Sequence, residues 1–548
     1  MARTRILRLL AAAVAVSGLA ATTMGGQASV SVAPSGADQF TIYHPPDSSA
    51  GAHTAAEPSI GADWKTGALM YQADLVTYRV TFDSATPPAA TWTDVSSSLT
   101  SQQTLDPILF TDRDTGRTFV SQLAGACSLS EFSDDDGASW TPDQGCGLPS
   151  GADHQSFGGG PFAPPLTGTV YPHAVYYCSQ DVATAFCAMS ADGSLTFGPG
   201  IPIYALTQCG GLHGHVKVAP DGTAIVPNQN CGPAPGTQGI TGNFPNQAAV
   251  VSKNDGATWA VNVIPDSVST LRSDPAVAAD AAGTWYFGYE DGVDNASGEQ
   301  VAGRAMVSIS KDDGTTWSPS VDVGAALGLQ NVTFPEMIAG DPGRAAFAFL
   351  GSTTSGDPEN QTFQGFWYLY VALTYDGGTT WTVQNVTPGD PVERGCIYLA
   401  GSGDCPDPPK RNLLDFMDVT ASKDGRVAVG YADGCTGTCV TQQASPCADP
   451  ACGTGATASA DRYTSIARMT CGKGLVAAQD SALSCSTGTT TSATPTPSPG
   501  TTTTAAAAGA ATPNTGAASP AAGAASAAAL LAAAGLGLGA RLRRRRGR

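Results

Sequence analysis

"SKDDGTTW" (310–317) decides how this 548-residue chain folds, because it is not unique. It returns as "SKNDGATW" (252–259), "SDDDGASW" (133–140), "SADGSLTF" (190–197) and "TYDGGTTW" (374–381), with "FDSATPPAATW" (82–92) as a stretched version. Ser or Thr and Asp spaced by two can cap the backbone N–H groups of a tight turn, and Gly takes the backbone that other residues resist. The Thr points back into the turn, and the closing aromatic is placed to be buried against a sheet. Every position serves a hairpin, so the phrase is scaffold rather than chemistry.

The closing aromatics, Trp92, Trp140, Phe197, Trp259, Trp317 and Trp381, recur every 48 to 64 residues. A second phrase precedes each of them: a polar residue, an apolar strand, an Asp six positions on, a Gly and another apolar strand. It appears in "EPSIGADWKTGALMYQAD" (57–74), "DPILFTDRDTGRTFVSQL" (106–123), "HVKVAPDGTAIVPNQ" (215–229), "DPAVAADAAGTWYFGYED" (274–291) and "DVTASKDGRVAVGYAD" (418–433), with looser copies at His154 and Glu336. Short Val/Ile/Tyr/Phe-rich runs between turn residues, with no long helical pattern, predict strands. Seven such units predict an all-β, seven-bladed β-propeller. The seventh lacks its own aromatic-terminated phrase, and "FTIYH" (40–44) is available to close it as an outer strand. Six blades plus an appendage is the alternative.

The short phrase is identified as an Asp-box, or BNR repeat, and with it roughly 450 central residues resemble the sialidase (neuraminidase) superfamily of propellers. The resemblance implies a phrase on the periphery, and a site with an Arg carboxylate clamp, an Asp acid/base and a Tyr nucleophile activated by Glu. Bidentate guanidinium pairing is what an anionic sugar requires. This chain departs from the pattern at its first blade, "AEPSIG", where the leading clamp Arg falls at Ala56. Arg272, Arg394 and Arg411 are the candidates near strand starts. Tyr398, Tyr431 and Tyr463 read either as nucleophiles or as buried strand aromatics.

The first residue of each unit is more informative. A propeller's first strands line its channel, so Glu57, Asp106, His154, His215, Asp274, Glu336 and Asp418 are expected to converge near one channel mouth. Three roles stand open for them. They could cap the neighbouring blade and lock the ring, hold a ligand or divalent cation, or share protons as glycosidase acids. Glu57, Asp106, Asp274, Glu336 and Asp418 are the catalytic candidates, and His154, His215, Arg272 and Arg411 the ligand-binding ones. The cofactor expectation is either none or Ca2+. At "SDDDG" an EF-hand-like loop would need a Glu where Gly145 stands.

The termini read as addresses. "MARTRILR" followed by "LLAAAVAVSGLAA" has the order of a secretory signal peptide, assigned to 1–28. Residues 29–485 form the propeller, and 486–511 a Thr/Pro/Ala-rich spacer. In 512–548, "TPNTG", a small-residue apolar run and "RLRRRRGR" resemble a Gram-positive sortase sorting signal with Thr512 in place of Leu; an uncleaved transmembrane anchor is the alternative. Either way a secreted, surface-attached monomer is expected, with a glycan or cell-surface polymer as partner and the cell wall or membrane at its C-terminus.

Nine of the 27 Lys+Arg lie in the two terminal segments, and none of the 46 acids does, which leaves the chain between them at a formal charge of −28. That disfavours nucleic acid and anionic membranes. Fourteen Cys in an exported chain predict disulfides. Sequence-near pairs are Cys127/Cys146, Cys178/Cys187, Cys209/Cys231, Cys396/Cys405 and Cys471/Cys485, with Cys435, Cys439, Cys447 and Cys452 making two more. Zinc at "GCTGTC" and "CADPAC" is the lesser reading, since no His lies near.

Overall fold

A computed structural model describes residues 28–485, apart from 35–37, 126–127, 146–152, 164–165, 167, 182–183, 211, 233–244, 271, 295–299, 361, 398–410 and 442–460. The signal peptide, spacer and sorting segment lie outside the described residues. So do Cys127, Cys146, Cys405, Cys447 and Cys452. No helix among the described residues is long and apolar enough to cross a membrane.

Seven antiparallel sheets follow one another along the chain. Their first strands are Ser59–Ala62 (blade I), Pro107–Thr111 (II), Asp153–Gly160 (III), Lys217–Val218 (IV), Ala276–Ala279 (V), Asn331–Ala339 (VI) and Asp418–Ala421 (VII). Each first strand touches the first strand of the next blade, and that of blade VII touches that of blade I. The sheets therefore close radially, and the six-bladed alternative falls. Gln39–Tyr43 pairs antiparallel with Tyr463–Cys471 and supplies the outer strand of blade VII, as "FTIYH" predicted. Ser29–Val32 was not anticipated. It runs parallel to Thr380–Asn385 as a fifth strand on blade VI.

The core is divided among the blade interfaces rather than gathered in one place. Ile60, Tyr71 and Tyr78 of blade I pack with Val427, Val429 and Ile466 of blade VII and with Trp367 and Leu369 of blade VI. Ile225 and Val251 of blade IV meet Phe287 and Trp317 of blade V. Strands buried on both faces by neighbouring sheets explain the continuous apolar runs in the sequence.

The opening phrase joins the third strand of a blade to its outer strand, on the propeller's rim. In "SKDDGTTW" the Ser310 hydroxyl accepts the Gly314 N–H at 3.0 Å, and the Asp312 carboxylate accepts the Thr316 N–H and hydroxyl at 2.8 and 2.7 Å. The same bonds recur at Ser133/Asp135, Ser190/Asp192 and Thr374/Asp376. Two consecutive residues of each turn hold left-handed backbone, Asp313 and Gly314 at φ 56° and 71°. At Gly314 a Cβ would also lie 2.5 Å from Ile225 of the preceding blade, so glycine is needed there twice over. Ser194 carries the same backbone, at φ 79°, where the other copies have Gly. In the "SDDDG" box Asp135 caps the hairpin, and Asp134 pairs with Arg117 at 2.7 Å.

Disulfides join Cys178 to Cys187, Cys209 to Cys231, Cys435 to Cys439 and Cys471 to Cys485, and no free cysteine stands among the described residues. Three of these pairs are the ones predicted, and Cys435–Cys439 resolves part of the four-cysteine group.

Candidate functional site

A first strand is paired on its outer side only, so its free edge and its opening residues turn toward the channel. Four blade junctions are latched there by a side chain of one blade that accepts a backbone N–H of the next. Asp418 accepts from Ile60 at 3.0 Å and Asp106 from His154 at 3.0 Å. Ser156 accepts from Val216 at 2.9 Å, and Ser273 from Phe334 at 3.2 Å. Replacing Asp418 by Ala strands the buried Ile60 N–H at the VII–I seam, at an expected cost of about 2–3 kcal/mol. Urea denaturation should show it as a lower midpoint, with Asp418→Asn recovering most of the difference.

The seven predicted ring residues do come together, in two adjoining arcs. In the first are Glu57, Asp106 and His154, joined by Asp415. Burial pushes Glu57 well above its ordinary value, helped by the negative charges of Asp106 and Asp415. Burial, then the nearby Asp153, raises Asp106 to about 7. Burial opposes charge on His154, but Asp274 outweighs it with Oδ2 2.7 Å from Nδ1, and holds the imidazole well above its ordinary value. Asp274 also accepts a hydrogen bond from Gln229 at 3.0 Å.

His215, Glu336 and Asp418 form the second arc, with Lys217. His215 Nδ1 lies 3.7 Å from Glu336 Oε1, and one donor atom from each of the three lies within 4.8 Å of the others. Burial, then Lys217, pushes His215 well below its ordinary value, so the imidazole is neutral. Glu336 is raised by burial and then by Asp418, against the opposing charge of Lys217. Phe416 sets its ring edge-on to His215 with centroids 4.8 Å apart.

The local backbone explains why two units read as loose copies. Register shifts fall between Asp153 and Ser156 in blade III and between Thr333 and Glu336 in blade VI, so His154 and Glu336 sit in bulges. Glu57 and His154 also hold left-handed φ of 51° and 47°, a strain of about 1–3 kcal/mol each that surrounding contacts must sustain.

Arg272 and Arg394 stand apart from this ring. Arg272 pairs with Asp357 at 2.7 Å and Glu359 at 3.5 Å. Arg394 donates to the Cys439 carbonyl at 2.7 Å and lies over the Phe366 ring. Arg411 pairs with Asp415 at 2.7 Å. Each guanidinium thus has its own partner, and Ala56 is buried. Tyr431 is a buried strand aromatic, and Tyr463 stacks between His44 and His53, with centroids 4.4 and 4.6 Å from its own. Tyr398 lies outside the described residues.

Four members of the site were missed in sequence. Lys217 was legible in principle, since alternation along a strand puts it on the face of His215. Asp153 is the immediate neighbour of His154. Asp415 and Phe416 come from the loop before blade VII, whose path no repeat announces.

No known protein family matches the chain, and no curated protein matches it. Solved structures similar to it include a protein of unknown function from Dyadobacter fermentans, at 11% identity over 79% of this chain and 97% of that one, with a TM-score of 0.38. A Hadza microbial sialidase matches at 14% identity over 75% of this chain and 65% of that one, with a TM-score of 0.34. An α-L-arabinanase from Penicillium chrysogenum complexed with arabinobiose matches at 10% identity over 79% and 97%, with a TM-score of 0.36. Likeness at this level carries no residue role across.

Proposed function

We propose that the chain is an exported propeller, attached to the cell surface through 512–548, that binds a glycan or cell-surface polymer at its channel face. One observation carries the reading: five acids and two imidazoles from seven blades gather at one channel mouth, where polar groups from many strands can meet one ligand. Binding is favoured over turnover because ring acids are committed to holding the blades together, as Asp418 and Asp106 are, and because Ala56 replaces the leading Arg of a sialidase clamp.

Hydrolysis is the second reading. Asp106, raised to about 7, and Glu57, pushed well above its ordinary value by burial, would keep a carboxylic acid available at neutral pH, which general-acid cleavage of a glycoside needs.

A glycan array probed with residues 29–485, run beside a panel of chromogenic glycosides, separates the two. Retention of a defined glycan with no sugar released is the expected result. Release that is abolished in Glu57→Gln and Asp106→Asn would replace the binding module with a hydrolase. Neither retention nor release would end both readings and leave a structural role in the surface layer.

A further inference from the structure

We propose that His215, Glu336 and Asp418 form a binding site for a divalent cation of the zinc or manganese kind, held in the axial channel between blades IV, VI and VII. Their three donor atoms lie within 4.8 Å of one another, whereas ligands about 2.0–2.2 Å from a shared ion stand no more than about 4.4 Å apart, so small inward shifts would close the site on an ion. They come from three separate sheets, so an ion here would tie blade IV to the consecutive blades VI and VII across the channel.

The second observation is an unpaired group. Glu336 is only 5% exposed, and its Oε2 has no hydrogen-bond partner in the protein. A buried acceptor without a partner costs about 1–3 kcal/mol, and more when charged. Ligation would remove that penalty, whereas Lys217, whose charge reaches both Glu336 and Asp418, leaves Oε2 without a bond. One nitrogen and two carboxylates suit borderline ions. Ca2+ requires six to eight oxygens, so this donor set favours a transition metal over calcium.

Asp112, Asp114 and His173 make a comparable group at the turn after the first strand of blade II. There Asp112 Oδ2 already accepts the Tyr171 hydroxyl at 2.6 Å and a bond from His173 Nδ1 at 2.8 Å, so its members satisfy one another. It serves as the internal control.

The test uses untagged, chelator-stripped propeller, residues 29–485, whose ring closes within that span. Equilibrium dialysis should show one Zn2+ per chain, with a melting temperature raised by a few degrees at saturation, while CaCl2 does neither. Bound Co2+ should show visible absorption bands. Glu336→Gln should weaken Zn2+ binding at least tenfold while its metal-free melt stays close to that of the parent. Lys217→Met should tighten binding, because it removes a competing cation. Asp112→Asn should leave binding unchanged. No stoichiometric uptake, uptake indifferent to Glu336→Gln, or uptake lost in Asp112→Asn would each overturn the proposal. Should Glu336→Gln fail to fold, Lys217→Met decides, and a failure of that variant to tighten binding counts against the site.

Discussion

A chain that begins at Pro45 is expected to emerge from expression aggregated or without a cooperative melt, whereas one that begins at Asp38 should fold. The first loses Gln39–Tyr43, the outer strand of blade VII, whose register sets Phe40 against Met469 and Tyr43 against Ile466. Tyr43 also packs edge-on against Phe82 of blade I, with centroids 5.1 Å apart, so the strand belongs to the seam where the ring closes. Without it, Tyr463–Cys471 becomes a nine-residue exposed edge, a template for aggregation. Losing the buried area of Phe40, Ile42 and Tyr43 costs on the order of 5 kcal/mol, comparable with the whole stability of many domains. The second truncation removes only Ser29–Val32, an addition to a blade that already has four strands, and should cost about 1 kcal/mol. Yield, near-UV circular dichroism and guanidinium denaturation of the two chains read the difference. A parent-like transition in the Pro45 chain would show that the ring closes without its N-terminal strand.

The propeller should melt several degrees higher at pH 5 than at pH 8. Burial raises Asp106 to about 7, Glu290 to about 7 and Asp143 to about 6, against ordinary values near 4 in the unfolded chain. Between those limits the folded state holds protons that the unfolded state has released. The stability they contribute is therefore complete below about pH 4 and is lost as pH rises through 6 to 7. His154, raised by Asp274 in spite of burial, acts in the same direction. Groups shifted the other way limit this gain: burial lowers His213 to about 4 and His215 well below its ordinary value, so both oppose it as pH falls below about 6.5. Asp112 is held low by His173 and Tyr171 although burial opposes it, and its contribution disappears as pH falls below about 4. The combined change from pH 5 to pH 8 is on the order of a few kcal/mol. Asp106→Asn, which keeps an acceptor for the His154 N–H, should narrow the gap between the two melts. A flat profile, or one rising toward pH 8, would mean that these carboxyls are ionised in the folded ring.

Much of the candidate site was readable from offsets alone. The polar residue six positions before a turn Asp located Glu57, Asp106, His215, Asp274 and Asp418, because in a propeller the same offset from the same turn always lands at the same depth in the channel. His154 and Glu336 were found only as loose copies, since each sits in a bulge that shifts the local count. The hydrogen bonds from the Ile60 N–H to Asp418 and from the His154 N–H to Asp106 were foreseen as a type, a side chain capping the neighbouring blade. Their partners were not foreseen, for a latch between the last blade and the first spans more than three hundred residues. Ser29–Val32 escaped because a strand added parallel to a finished blade carries no repeat of its own.

The repeats by themselves located seven units, placed the Asp/Gly turns in hairpins and set the ring residues at equivalent positions, since each follows from short-range geometry copied along the chain, while closure into seven blades was decided by contacts between first strands. Protonation, pairing and the candidate cation site were decided by tertiary structure alone. Whether Glu57 is pushed above its ordinary value, or Glu336 Oε2 is left without a partner, depends on burial and on side chains brought from other blades. Those are distances across the channel, and no local pattern encodes them.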